Sequence, residues 1–233
     1  MVPNAAVPNA PLRPASDRWA VLTGDVVASG ALPERAALPG ALGEAFDALA
    51  QKGALERRFE LFRGDSFQGV VHPGEALHAA VLIRARMRGL ESQGGGLDQR
   101  PDARIAIGIG ALEFAAATVG ASDGEAARLS GRALDRLGRD RDGARLAVDT
   151  LDDTLRTDLD LIVRFTDSLV TRWRAPGAEV AFLALAAPEM TQEEVAARLG
   201  VTQSAVSQRR KSAAVDTVLE LVQRFRDRVA AER

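Results

Sequence analysis

The sequence contains no cysteine. Disulfides, thiolate nucleophiles and thiolate metal sites are excluded, and an intracellular setting is the natural expectation. Histidine is scarce as well. His72 and His78 stand six residues apart, a spacing that matches no helical zinc pair, and they read as surface or partly buried positions at a helix start. Charges interrupt every apolar run before it reaches the length of a membrane-spanning helix. Residues 1–16, rich in Pro, Ala and Asn, have neither the basic start nor the apolar core of a signal peptide, so a disordered tail on a cytoplasmic protein is expected. An excess of one charge is also missing: 30 Lys and Arg face 32 Asp and Glu, for a net charge of −2. That excludes a protein that coats nucleic acid indiscriminately. A sequence-specific binder, which needs only a local basic face, remains open.

What is present is the mixture of a soluble globular chain, 46% apolar and 27% charged, with 233 residues enough for two modest domains. Residues 19–25 read as a buried strand ending on Gly24 and Asp25, and 33–52 as a helix with a possible break at Pro39-Gly40. Residues 59–62 and 67–71 form a hairpin around Arg63-Gly64-Asp65-Ser66. A helix over 75–90, a strand over 104–110 with alternating Ile105, Ile107 and Ile109, a helix over 125–137 and a strand over 144–148 follow. Strands alternating with helices imply one α/β layer with a mixed sheet. Gly94, Gly95 and Gly96 lack the lysine and strand-to-helix context of a phosphate loop and read as a flexible connection; Asp140 and Asp142 read as solvent-facing turn residues.

After Asp149 the pattern is helical only. Residues 155–174 carry a broad apolar stripe, and Arg174-Ala-Pro-Gly177 marks a boundary. Thr191 and Glu194 form a capping box that starts a helix, with Val195 and Leu199 facing inward, Ala196 at a close crossing and Gly200 at the turn. Val201 plugs the core, Thr202 caps the second helix and Val206 anchors it. Gln203, Ser204, Ser207 and Gln208 then point outward, short polar side chains suited to base edges in a major groove. Arg209, Arg210 and Lys211 follow as phosphate contacts. The run from Gln192 to Ser207 resembles the helix-turn-helix of bacterial regulators, with Arg209 at a usually apolar position. Double-stranded DNA is the expected partner, and the balanced charge of the carboxy-terminal segment argues that affinity needs two copies. The stripe of Val215, Val218, Leu219, Val222, Phe225 and Val229 reads as a helix packed on its own domain, with a dimer seam as the alternative.

Asp25 ends the first strand and Asp65 sits in the hairpin turn. A hairpin lying beside the first strand brings the two carboxylates to one edge of the sheet, where such a pair can hold Mg²⁺ or Mn²⁺ and grip a triphosphate. The alternative is ordinary: Asp25 as a helix cap and Asp65 as a turn residue.

Val21-Leu-Thr-Gly-Asp25-Val-Val, Arg63-Gly-Asp65-Ser-Phe, the strand from Arg104 to Gly110, Glu125-Ala-Ala-Arg128-Leu and Arg145-Leu-Ala-Val-Asp149 occur in the order found in class III nucleotidyl cyclases, which residues 18–150 resemble. The hairpin is similar to that of GGDEF domains, which share the palm-like fold. With a carboxy-terminal helix-turn-helix, the whole looks like the SatD-like family. The resemblance implies metal ligation by Asp25, Asp65 and the Val26 carbonyl, nucleotide contacts at Gly24, Arg63, Gly64 and Arg128, and a transition-state role for Arg128. Two positions depart from the pattern: Gly124 replaces an asparagine and Leu61 a purine-selecting polar residue. These departures favour a domain that binds without turnover. The expectation is an α/β (α+β) chain made of a tail (1–16), a nucleotidyl-cyclase-like domain (17–150), a connecting helix (151–175) and an all-α helix-turn-helix domain (176–233). It would act as a homodimeric transcriptional regulator whose cyclase-like domain senses a nucleotide and metal or mediates dimerisation. An active metal-dependent nucleotidyl-transfer enzyme is the alternative.

Overall fold

Strand β1 (Arg18–Val27) is apolar on both faces, as a strand covered on both sides must be: Ala20 and Leu22 enter one core cluster, Trp19 and Val21 another. The computed structural model describes residues 18–27, 37–51, 53, 55–62, 65–90, 100–113, 123–139 and 143–232. The expected tail, Arg63, Gly64, Gly94 to Gly96, Asp140 and Asp142 lie outside these residues. Helix α1 (Ala37–Gln51) buries Leu38, Ala41, Leu42, Ala45, Phe46 and Leu49 along one stripe. It runs without a break through Pro39-Gly40, because Pro39 falls in the first turn, where a missing N–H leaves no helical hydrogen bond unmade.

Strands β2 (Leu55–Phe62) and β3 (Ser66–Val71) form the expected hairpin. A 3-10 turn (Pro73–Glu75) leads into α2 (Ala76–Arg88), in which only Arg86 is not buried. Strand β4 (Asp102–Glu113) closes the unit. The strands lie in the order β2-β3-β1-β4, with every one of these neighbours antiparallel. This is the split β-α-β-β-α-β arrangement, with α1 and α2 on the face that carries Ile105, Ile107 and Ile109.

The far edge of β4 is shared. A two-residue strand β5 (Asp123–Gly124) pairs at Leu112 and Glu113, and β6 (Leu146–Thr150) pairs in parallel from Ile105 to Ile109. Between them α3 (Glu125–Arg139) crosses the opposite face, as a parallel connection requires. Its close approach depends on Gly108, where any Cβ would collide with the Ala126 carbonyl and the Ser130 amide.

The helical remainder consists of α4 (Asp153–Val170), α5 (Ala175–Ala186), α6 (Gln192–Leu199), α7 (Gln203–Ser212) and α8 (Val215–Ala230). The core does not stop where the strands do. Leu155, Leu159, Val163 and Val170 of α4, Trp173, Ala178 and Ala181, and Val215, Val218, Val222 and Phe225 of α8 join the same cluster as Leu22 and Leu82. The packing therefore crosses the expected boundaries at residues 150 and 175. The apolar stripe of α8 is spent within the chain, on α4 and the 3-10 turn.

A buried ion cluster ties these parts together. Arg84 places Nε and Nη2 on the Asp102 carboxylate at 2.9 and 2.8 Å, and Nη1 on Asp167 of α4 at 2.6 Å. Arg88 donates to Asp102 at 2.9 Å and, through Nε and Nη2, to the Trp173 carbonyl at 3.1 and 2.8 Å. Burial alone would raise the Asp102 carboxyl, but the Arg84 and Arg88 guanidiniums hold it below its ordinary range. Such a cluster adds little net stability over apolar packing and is costly to break, since removing one member strands the others without water.

Candidate DNA-binding surface and the sheet-end carboxylates

The helix-turn-helix is built from local chemistry. Thr191 caps α6 by accepting from the Glu194 amide at 3.3 Å, while the Glu194 carboxylate accepts from the Thr191 amide at 2.7 Å, completing the capping box. That amide hydrogen bond, with the Thr191 hydroxyl, lowers the Glu194 carboxyl from its ordinary range. Gly200 closes the helix at φ 65°, ψ 33°, a left-handed conformation that glycine adopts without a Cβ clash. Thr202 caps α7 by accepting from the Ala205 amide at 3.2 Å. Val180 and Leu183 of α5, Val195 and Ala196 of α6, and Val206 of α7 form a separate small core. Leu199 and Val201 pack against it.

This leaves the outer side of α7 polar. Thr202, Gln203, Ser204, Ser207, Gln208 and Lys211 are exposed. Gln203 donates from Nε2 to Gln192 Oε1 at 2.9 Å, which fixes the first recognition side chain against the start of α6. Sequence reasoning missed Gln192, whose position opposite Gln203 depends on how the two helices cross. The three cations divide. Arg210 binds Asp216 through Nε and Nη2 at 2.9 and 2.6 Å, and Arg209 lies 3.9 Å from Glu179. Arg209 occupies its usually apolar position by leaning toward α5. Lys211 and Arg198 are exposed at helix carboxy-terminal ends, where a cation is favoured.

The recognition helix is held from behind. The Trp173 indole donates from Nε1 to the carbonyl of Ala213, the residue capping α7, at 2.7 Å. The next residue, Ala214, has φ 49°, an uncommon left-handed turn for a residue with a Cβ. Because the Trp173 carbonyl is gripped by Arg88, the end of α7 is two hydrogen-bonded steps from the sheet-side ion cluster.

At the other site the structure brings Asp25 and Asp65 together, at an end of the sheet rather than an edge, since β1 is a central strand. Asp25 pairs with Ser66 across β3, and the Val26 amide donates to the Asp65 carbonyl at 2.9 Å. The Asp25 carboxylate neither caps a helix nor stands free. Arg104 grips it through Nε and Nη2 at 2.9 and 2.6 Å, and this hydrogen bond raises the guanidinium pKa. Arg104 was visible as a strand residue, but its pairing follows only from the β1–β4 register. A divalent ion at Asp25 and Asp65 would compete with that guanidinium for the Asp25 oxygens, so the donor set as arranged favours the Arg104 pair over a resident metal. Among the described residues no group of three or more His, Asp or Glu gathers where an ion could bind.

Gly24 has a packing role: a Cβ there would come within 2.7 Å of the Arg104 carbonyl and against the Phe67 ring. Beside it, Thr23 meets Ser130 at 2.8 Å and accepts from Gln68 at 3.1 Å, forming a polar strip on the α3 face. Arg128 is exposed on α3. Leu61 and Phe62 of β2 are partly open to solvent, and Gly124 lies in β5, where its φ of 157° is close to extended. His72 is exposed and packs its ring at a 32° tilt against Trp19, centroids 5.2 Å apart, whereas His78 is buried in α2 beside the Leu185 carbonyl at 3.2 Å. No helix among the described residues is long and apolar enough to cross a membrane.

No curated protein and no solved structure matches the chain. Residues 180–215, from α5 through α7 to the first residue of α8, match the family model for Sigma-70, region 4, a helix-turn-helix DNA-binding domain, and it is here that the capped helices and the polar face of α7 lie.

Proposed function

We propose that the protein is a cytoplasmic transcriptional regulator that reads double-stranded DNA with α7. The observation that carries this reading is the outer face of α7 itself. Gln203, Ser204, Ser207 and Gln208 stand exposed on a helix whose cap, turn and rear anchor are all fixed, next to the exposed Lys211. Side chains of this kind hydrogen-bond base edges, and a cation at the helix end meets phosphate. Lys211 and Arg198 are exposed cations at helix ends, and Arg209 and Arg210, whose surface pairs with Glu179 and Asp216 are weak enough to exchange, add to the charge available to the backbone. The test is recovery of genomic DNA fragments by the purified protein at moderate salt. Enrichment of a shared sequence, reduced for all fragments alike by Lys211→Ala with Arg198→Ala, supports the reading; recovery unchanged by the double substitution refutes it.

In this proposal the α/β layer senses a nucleotide or supplies dimer contacts. One observation favours a second reading, a metal-dependent nucleotidyl-transfer enzyme: Asp25 and Asp65 share one end of a split β-α-β-β-α-β sheet. The Arg104 grip on Asp25 weighs against it. Incubation with each nucleoside triphosphate and Mg²⁺ or Mn²⁺ separates the two. Pyrophosphate release that disappears in Asp25→Ala and Asp65→Ala supports the enzyme. For the sensor, a ligand-dependent rise in apparent stability without product is the expected result.

A further inference from the structure

The inner side of α4 is fully used, packed against β6, α2 and α8. Its outer side differs. Leu161 and Phe165, one helical turn apart, are 57% and 58% exposed. Among the described residues only three other large apolar side chains are exposed, Leu151 just ahead of the same helix and Leu61 and Phe62 of β2, so Leu161 and Phe165 form the one such pair on a helical face.

The charges around this pair are segregated. Asp153, Asp158 and Asp160 stand in the amino-terminal half of α4 with Arg156 as its one cation; Arg156 pairs with Asp153 at 2.6 Å and Arg228 of α8 with Asp158 at 2.6 Å, which leaves this half acidic by Asp160 and the partly screened Asp153. At the other end Asp167 is buried against Arg84, so the exposed charges are Arg164, 3.8 Å from Asp160, and Arg172 just beyond the helix, both basic. A parallel copy of α4 would place like charge on like. An antiparallel copy, related by a two-fold axis level with Val163, places Leu161 on the partner's Phe165 and the partner's Leu161 on Phe165. The same operation brings Arg172 level with the acidic first turn of the partner helix, and opposes the two helix dipoles.

We infer that a second copy of this chain covers the outer face of α4, as a two-fold antiparallel helix pair centred on Leu161 and Phe165. A second observation, independent of the patch, fits the same occupant. Trp173, which anchors the end of α7, lies ten residues from the centre of the pair. At about 1.5 Å per residue the two Trp173 anchors stand roughly 30 Å apart along the helix axes. This spacing sets the carboxy-terminal ends of the two α7 helices, not their base-facing residues, apart by a length of the order of one turn of B-DNA, about 34 Å, which separates the half-sites of helix-turn-helix dimers. The inference rests on the DNA-binding reading only for that spacing; the patch and its charges stand without it.

Light scattering on the full chain at micromolar concentration tests it. The expected mass is twice 24.7 kDa for the native protein, and Phe165→Glu raises the dimer dissociation constant roughly 30-fold or more with an unchanged circular dichroism spectrum. Asp153→Arg and Arg172→Glu each weaken the dimer, and the two together restore it. Since the chain has no cysteine, a Leu161→Cys chain mixed with a Phe165→Cys chain becomes a disulfide-linked pair under mild oxidation. A monomeric native protein overturns the inference, as does a dimer indifferent to Phe165→Glu, which would point to another surface such as β2. A monomer that still binds DNA removes the dimer and leaves the DNA reading intact; a dimer of the expected kind without DNA binding does the reverse.

Discussion

Replacing Trp173 by phenylalanine separates a rigidly docked recognition helix from one that is merely tethered. The indole is 2% exposed and donates to the Ala213 carbonyl at 2.7 Å. Phenylalanine keeps one ring in place but strands that buried carbonyl, at a cost of about 1–3 kcal/mol. The space left by the smaller ring adds roughly 1–2 kcal/mol. A loss of about 2–5 kcal/mol is therefore expected, a large fraction of the stability of an ordinary domain. The chain has two tryptophans, so in this variant fluorescence reports only Trp19, on the opposite face of the sheet. In urea unfolding, Trp19 fluorescence and far-ultraviolet circular dichroism should lose their midpoints together, because the ion cluster and the shared core make one cooperative unit. DNA affinity should fall as the orientation of α7 loosens. A stability change below about 0.5 kcal/mol, or an early helical transition that leaves the Trp19 transition where it was, refutes the reasoning.

Three further outcomes follow from the same contacts. Asp102→Asn leaves Arg84 and Arg88 buried against a neutral side chain and should cost about 3–5 kcal/mol by urea denaturation; a loss under 1 kcal/mol would contradict the account of the cluster. The Glu75 carboxyl is lowered from 4.5 to about 2, first by its interaction with His78, against burial, and then by Arg226, which binds it at 2.8 and 2.9 Å. A carboxyl depressed on folding stabilises fully above its unfolded pKa and loses that contribution as pH falls through its folded one. Discounted for partial exposure, the contribution is about 1–2 kcal/mol. The stability gap between native protein and Glu75→Gln should therefore close between pH 4.5 and about 2; a gap that persists at the acid end contradicts the assignment. Gly200→Ala forces a Cβ into the turn at φ 65° and should cost about 1 kcal/mol in thermal unfolding while leaving the sheet unchanged; a neutral effect would mean that the turn relaxes.

The features legible in the sequence were those set by neighbours along the chain. Thr191 with Glu194, Gly200 and the caps of α6 and α7 are local chemistry, and each stands where the sequence puts it. The strands and most helices were likewise readable from alternation and helical spacing. What could not be read depends on register and on tertiary packing. Arg104 meets Asp25 because β4 pairs with β1 in one register among several. Nothing in the helical spacing of residues 75–90 marks Arg84 and Arg88 as buried; only the packing of α4 across α2 encloses them with Asp102 and Asp167. The stripe of α8 is legible in the sequence, but its target, α4 and the 3-10 turn, lies beyond at least three intervening helices in the chain. Likewise, the breaker at Arg174 to Gly177 was seen as a domain boundary, whereas Trp173 beside it bonds the two parts together.

The central claim, that the outer face of α7 reads DNA, is tested most directly by fluorescence anisotropy on a site selected from random duplexes. Native protein is compared with a variant carrying Gln203→Ala, Ser207→Ala and Gln208→Ala. The account predicts that the native protein prefers its selected site over scrambled duplex, with affinity falling as salt rises, and that the variant keeps the salt-dependent background but loses the preference. A preference that survives all three substitutions, or an absence of DNA binding at low salt, would contradict it.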